Sequence, residues 1–373
     1  MAAYKVLVTG GAGFIGSFIV DELVKKGHQV EVFDNLTEQV HQGKMPSYLN
    51  PSAKFIKGDV NDYEAFKNAV LDSDIVFHEA SAVGVGQSMY EIRHYVQDNV
   101  MGTANLMHIV ANEPHHLKKI LVASSMSSYG EGAYHCGKCG TVYPPLRAEQ
   151  QMSHAEWEPI CSKCNSVLKP IPTSEDKPLN QNSIYAITKS TQEQMVLTVG
   201  KAYGVPSVAL RYFNVYGPRQ SLSNPYTGVA AIFMSRIKND NPPIIFEDGM
   251  QTRDFVSVHD TARANILAME SKNADYEAFN VGSGKPTTIK GVAEVLAKLY
   301  GKGIKPMVNG KFRKGDVRHC YADLSKIRSR LGFEPKVSFE EGMRELAEWS
   351  EKEKAVDMVE KANSELKQKG LVK

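Results

Sequence analysis

The segment KVLVTGGAGFIG, residues 5–16, constrains this chain more than any other. A short β-branched run leads into a glycine cluster, and FIGSFIVDELVKKG follows with apolar residues at helical spacing and a terminal Gly27. That order predicts strand, tight turn and helix. Gly10, Gly13 and Gly16 fall in the turn, where missing side chains permit the bend, the approach of a pyrophosphate to the backbone, and close packing of helix on strand. The helix N-terminus, beginning with Phe14 and Ile15, then faces the phosphates. Asp34, 24 positions after Gly10, ends a second strand, QVEVFDN, with Asn35 beside it. A carboxylate there accepts both ribose hydroxyls of NAD and repels the 2′-phosphate of NADP, so the expected cofactor is NAD.

The same alternation continues along the chain. KFIKGDV, DIVFHEAS and KILVASS are buried apolar runs ending in small or polar residues, with helical stretches such as VQDNVMGTANLMHIVAN between them. This predicts an α/β fold: a doubly wound parallel sheet of the Rossmann kind, with its ligand crevice at the strands' carboxyl ends. The dinucleotide-binding domain is placed at 1–217. After VALRYFNVYGPRQ the alternation weakens, and a smaller substrate lobe is placed at 218–349, returning to the sheet near 253–284. The charged tail 350–373 reads as a solvated terminal helix.

Charge excludes one class of partner. With 44 Lys+Arg against 42 Asp+Glu in 373 residues, the chain lacks the one-sided basic surface of a nucleic-acid binder. No apolar run reaches the length of a membrane span, and MAAYKVLVTG enters a strand without a basic leader, so a cytoplasmic protein is expected.

Tyr185 and Lys189 in SIYAITKS lie four apart on a predicted helix and therefore share a face. A nearby ammonium and a positively charged nicotinamide both stabilise a phenolate, which converts a weak base into a usable one. Ser125, ending the KILVASS strand, can supply a hydroxyl to a substrate oxygen. Tyr-x-x-x-Lys alone is common in helices; the glycine turn in the same chain gives it weight.

With these motifs in place, the chain resembles the extended short-chain dehydrogenases/reductases, specifically the nucleotide-sugar epimerases related to UDP-galactose 4-epimerase. TGGAGFIG, VFDN, GDV, HEAS to DNVMGT, SSMSSYG, YAITK, RYFNVYGPRQ, QTRDFVSVHD, FNVGSG and RKGDVRH follow the family's order. The resemblance implies that Asp59 and Val60 contact adenine, that Ala80 and Asn99 line the cofactor, and that Phe213 lies near the nicotinamide. It also implies that Asn214, Arg253 and Asp316 hold the diphosphate and nucleoside. Cys320 falls where family members admitting N-acetylated sugars carry a small residue; a buried apolar cysteine accounts for it equally well. The expected reaction is epimerisation, at C4, of a nucleotide-diphosphate sugar of the UDP-glucose or UDP-N-acetylglucosamine type. Tyr185 would take a proton from the sugar hydroxyl while hydride passes to NAD and later returns. The family's dehydratases carry an Asp-Glu pair after the Ser/Thr, where this chain has Met126 and Ser127, so dehydration is disfavoured. A dTDP-L-rhamnose 4-epimerase, a keto-sugar reductase and a non-catalytic NAD sensor are the competing readings, and a homodimer is the family expectation.

One departure stands out. Tyr185 follows Ser125 by 60 positions, and an insertion at 132–172 accounts for the distance. It carries Cys136-Gly-Lys-Cys139 and Cys161-Ser-Lys-Cys164, separated by 21 residues, close to the paired-knuckle spacing of a zinc-ribbon-like four-thiolate site. Four thiolates leave no open position for water, so a structural zinc is expected; iron suits the same donors.

Overall fold

In the computed structural model, which describes residues 3–372, seven parallel strands form the central sheet. They are β1 (Lys5–Thr9), β2 (Gln29–Asp34), β3 (Lys54–Lys57), β4 (Ile75–His78), β5 (Lys119–Ser125), β6 (Ser207–Tyr212) and β7 (Glu277–Val281). Their order across the sheet is β7-β6-β5-β4-β1-β2-β3. The chain runs outward from β1 to β3, then returns to the other side of β1 to begin β4, where Val6 pairs with Val30 on one flank and Ile75 on the other. A crevice opens at that reversal, at the carboxyl ends of β1 and β4.

Both sheet faces are covered, which is why the strands read as unbroken apolar runs. Val6 and Val8 point into one core with Ile19, Leu23 and Ala264, whereas Leu7 points into the other with Phe66, Leu106 and Val196. Each such side chain, fully removed from water, stabilises the fold by about 1.5–3 kcal/mol.

The second lobe has its own core, built from helices Val229–Lys238, Ile289–Tyr300 and Phe339–Glu351. Here the structure departs from expectation. Of the stretch 253–284, only β7 joins the central sheet; Thr252–Ser257 instead pairs in parallel with Asn214–Tyr216 and His319–Cys320, and antiparallel with Pro286–Thr288. The helix that follows, Val258–Glu270, returns the chain to the main core. Periodicity signals a strand but not which sheet receives it.

The tail also differs from a solvated helix. Val359–Gln368 buries Val359, Ala362 and Leu366, and Glu365 accepts hydrogen bonds from Tyr90 (3.1 Å) and Tyr226. Its apolar stripe was masked by the surrounding charge.

Residues 133–171 form a three-stranded antiparallel sheet, with Ala133–Cys136 between Gly140–Val142 and Lys169–Ile171. Its stems clamp the short strand His319–Cys320 and the residue after it: Gly132 N donates to His319 O (2.9 Å) and Thr173 N to Tyr321 O (2.8 Å).

Candidate active site

A single cleft of about 810 Å³ runs from the glycine turn, past the carboxyl ends of β4 to β6, to the second lobe. At its first end, Gly10 has φ +66°, and a Cβ there would lie 2.8 Å from the Ala80 backbone. A Cβ on Gly16 would lie 2.4 Å from Gly10 O. The helix Phe14–Lys25 starts at Gly13 with no side chain capping it, and Gly13, Phe14, Ile15 and Gly16 line the cleft. An uncapped helix start beside missing side chains fits a pyrophosphate.

Asp34 also lines the cleft, its carboxylate held by Ala12 N (3.1 Å) and Leu36 N (2.8 Å). Asn35 Nδ2 donates to Asp59 (3.0 Å), and both line the cleft with Val60, Ala80 and Phe213. Asn99 does not reach it. Its amide is spent inside the protein, accepting from Ala82 N (2.7 Å) and donating to Ala82 O and Thr188 Oγ1, so it fixes the wall from behind.

Mid-cleft, the helix Ile184–Tyr203 begins at Ser183, whose hydroxyl caps Ala186 N. Glu193 on this helix accepts from Ser124 (2.6 Å) and from Arg211 Nε (3.0 Å), which fixes the helix against β5 and β6. Tyr185 and Lys189 are thereby presented to the cleft beside Ser125. Ser125 Oγ accepts from Ser127 Oγ (2.9 Å), and Lys189 Nζ donates to Ser81 Oγ (2.9 Å) and Ala123 O (3.0 Å). Met126 and Ser127, which follow Ser125, also line the cleft, and neither side chain offers an acid.

Burial pushes the Tyr185 phenol up to about 12, drawn back by a hydrogen bond with Ser125. Burial also pulls Lys189 down to about 8, opposed by the Glu79 carboxylate. Glu79 itself is pushed up to about 7 by burial, against a hydrogen bond from Tyr212 (2.9 Å) and the charge of Lys189. Thus Glu79 favours a charged Lys189. Sequence reasoning passed over Glu79; its signal was a carboxylate following directly on the buried strand β4.

At the far end, Asn214, Arg253, Asp316 and Arg313 line the cleft. Arg253 donates to Asp316 Oδ1 (3.1 Å) and to Arg318 O (3.1 Å), so Arg253 braces Asp316. Arg313, three residues before Asp316, was missed; its guanidinium stacks 4.5 Å from the Phe246 ring centroid. Asn214 Oδ1, Gln220 Oε1 and Gln251 Oε1 are buried acceptors without partners, and Arg313 Nε lies 3.7 Å from Asp316 Oδ2. Unmade hydrogen bonds in a cleft suit a ligand rich in hydroxyls and ring N–H groups. Cys320 is absent from this wall. It is 1% exposed, in the main core, with Sγ 3.9 Å from Thr173 Oγ1, because the insertion's stems close over it.

The sulfurs of Cys136, Cys139, Cys161 and Cys164 all lie within 4.8 Å of one another. Each knuckle turns back through a left-handed residue just after its second cysteine, Gly140 (φ +75°) and Asn165 (φ +57°). This near-symmetry brings four soft donors to one point, which suits a tetrahedral thiophilic ion.

The NAD dependent epimerase/dehydratase family matches residues 6–153, and the GDP-mannose 4,6 dehydratase family matches residues 167–346. A dTDP-L-rhamnose 4-epimerase from Burkholderia thailandensis is 37% identical over 350 residues, covering 92% of this chain and 94% of the relative. The chain belongs to the NAD-dependent nucleotide-sugar epimerase/dehydratase family. Among solved members, the UDP-glucose 4-epimerase of Thermotoga maritima with UDP-glucose superposes with a TM-score of 0.75 at 33% identity, covering 93% of this chain and 99% of that one. The UDP-glucuronic acid 4-epimerase of Bacillus cereus, in complex with UDP-glucuronic acid and NAD, gives 0.75 at 28% identity over the same shares. The seven-stranded Rossmann sheet is common ground with these enzymes, and the insertion falls where the two family matches meet.

Proposed function

We propose that this protein is an NAD-dependent 4-epimerase of a nucleotide-diphosphate sugar, acting through a keto-sugar with no net oxidation. The carrying observation is that Ser125, Tyr185 and Lys189 meet midway along one cleft, between a glycine turn suited to a dinucleotide and an Arg-Asp end suited to a nucleotide diphosphate. In this reading Gly10, Gly13, Phe14, Ile15, Gly16, Asp34, Asn35, Asp59, Val60, Ala80 and Phe213 hold NAD. Asp34 sets the preference over NADP. NAD supplies the hydride acceptor and, after the ketone has turned over, the donor.

The protein's own groups handle the proton. Tyr185 takes it from the sugar hydroxyl, Ser125 hydrogen-bonds the same oxygen, and Lys189 stabilises the phenolate while it exists. When the ketone presents its opposite face, Tyr185 returns the proton to the oxygen. Arg253, Arg313, Asn214 and Asp316 hold the diphosphate and nucleoside, leaving the sugar as the part free to turn. A reductase would release its cofactor each cycle, and a sensor has no use for a base tuned to proton transfer.

The relatives' names span several sugars, so the decisive test offers UDP-glucose, UDP-N-acetylglucosamine and dTDP-L-rhamnose to the purified enzyme by NMR. One of them is expected to give its C4 epimer with no cofactor added, and acid extraction is expected to release NAD and not NADP. Turnover that requires stoichiometric added nicotinamide would overturn the epimerase reading. The 37% identity to a dTDP-L-rhamnose 4-epimerase is the reason the third sugar is included.

The four thiolates are assigned a structural zinc. Five free cysteines suit a reducing compartment, the cytoplasm, and among the described residues no helix is long and apolar enough to cross a membrane. A homodimer is proposed as well. Ile92, Val96, Met101 and Ile187, from three helical segments packed together, are 43–53% exposed apolar side chains on one side of the NAD domain. Light scattering is expected to give about twice the 41.2 kDa chain mass, and a monomeric mass at micromolar concentration would refute pairing through this face.

A further inference from the structure

Behind the nucleotide end of the cleft lies a buried ion network that joins it to the cysteine insertion. Arg147, from the insertion, grips Glu247 with both terminal nitrogens (2.8 and 2.9 Å), and both side chains are 1% exposed. The same guanidinium donates to Trp157 O (3.0 Å), within the insertion, and to Asp316 O (3.2 Å), on the cleft wall. Glu247 directly follows Phe246, the ring on which Arg313 stacks, and Glu247 sits at φ +54°, a left-handed conformation that needs support from its surroundings. Arg147 therefore touches both sides of the distal pocket from behind: Asp316 on one, the chain at Phe246 on the other.

A second set of bonds runs parallel. Glu158 of the insertion accepts from Arg318 Nε (2.9 Å) and from His319 Nε2 (3.0 Å). Arg318 also donates to Glu247 (3.0 Å) and Asp248 (2.7 Å), while its carbonyl accepts from Arg253. Glu131, at the insertion's stem, accepts from the backbone N–H groups of Arg318 (2.9 Å) and His319 (2.8 Å). Two guanidinium groups thus answer three carboxylates, Glu247, Glu158 and Asp248, and removing one leaves negative charge around buried Glu247 that the other cannot fully neutralise. None of these groups lines the cleft.

We propose that the four-cysteine insertion is a positioning element for the nucleotide end of the cleft, and that Arg147 is the residue through which it holds Asp316 and the chain at Phe246. The proposal rests on the nucleotide-sugar reading of that end. It gives the metal site a role at a distance: the ion fixes the fold of the insertion, the fold fixes Arg147, and Arg147 fixes the wall that grips the nucleotide. The chemistry at Tyr185 and the NAD end do not depend on this chain of contacts.

The test titrates UDP and dTDP calorimetrically into NAD-loaded wild type, Arg147→Met, Arg147→Lys and Glu158→Gln. For Arg147→Met the nucleotide Kd and the sugar-nucleotide KM should rise about tenfold or more, with kcat at saturation changed less than about threefold and bound NAD unchanged. Arg147→Lys should recover part of the loss, since one ammonium can pair with Glu247 but cannot fork to Asp316 as well. Glu158→Gln, at a half-exposed site that tolerates an isosteric change, should weaken binding about threefold and decides the matter if Arg147→Met does not fold. Folded variants that bind the nucleotide as wild type does, or that lose kcat and NAD in parallel, would overturn the positioning role. If wild type binds neither nucleotide, the nucleotide reading of the cleft fails first and takes this proposal with it.

Discussion

Tyr185→Phe is expected to lower kcat by about 10²–10⁴-fold while the protein still purifies with NAD. The substitution removes one oxygen and leaves the ring, so the packing of Tyr185 against Tyr95, at 6.4 Å between centroids, is kept. Because burial pushes the phenol up to about 12 even with the Ser125 hydrogen bond drawing it back, little phenolate exists near neutral pH without further help, and the phenol must be made a base by charge around it. Lys189, one helical turn on and lining the same cleft, is the cation proposed to supply it, and it is itself drawn down to about 8 by burial. Glu79 offsets part of that fall, so the titrations of Lys189 and Glu79 belong to the pair. Stopped incubation with the sugar nucleotide, quantified by NMR, measures the loss. A variant retaining more than about a tenth of wild-type kcat would remove Tyr185 from the role of base and redirect attention to Glu79.

The difference between what was legible in the sequence and what was not follows from the range of each interaction. Gly10, Gly13, Gly16 and Asp34 were legible because a tight turn and a strand end impose residue types locally, within one strand–turn–helix unit. Tyr185 and Lys189 were legible because helical spacing places them together without reference to the rest of the chain. Glu79, Arg313 and Arg147 were not, because each acquires its meaning from a partner distant in sequence: Tyr212 and Lys189, Phe246, Glu247 and Asp316. Cys320 shows the converse. Its position in the motif order suggested a cleft residue, but the insertion's stems, Gly132 and Thr173, pack over it and turn it into core. The strand Thr252–Ser257 misled for a related reason: a local run of strand-forming residues marks a strand, whereas the sheet it joins depends on which neighbour reaches it.

Cys136→Ser is expected to abolish the metal binding proposed for the four thiolates and to unfold the insertion while leaving the rest of the NAD domain intact. The core beneath the knuckles consists of Tyr134, Cys136, Cys161 and Leu168, too few side chains to hold some forty residues in place by burial alone. Two of the four, Cys136 and Cys161, are among the proposed ligands. Structural zinc binds small domains with an apparent free energy of about 10–16 kcal/mol, which is the free energy of folding them, so the loss of one thiolate removes most of what keeps this element ordered. Serine is nearly isosteric with cysteine, and Cys136 is fully buried, so the change isolates ligation from packing. Metal analysis should fall from about one equivalent to near zero, and limited proteolysis should cut between the two knuckles at least about tenfold faster than in wild type. Glycine-turn contacts lie in the NAD domain and in no part of the insertion, so the amount of NAD carried through purification should be unchanged. Full metal content together with unchanged protease resistance would show that the four sulfurs are not a metal site, and the near-symmetry of the two knuckles would then need another cause.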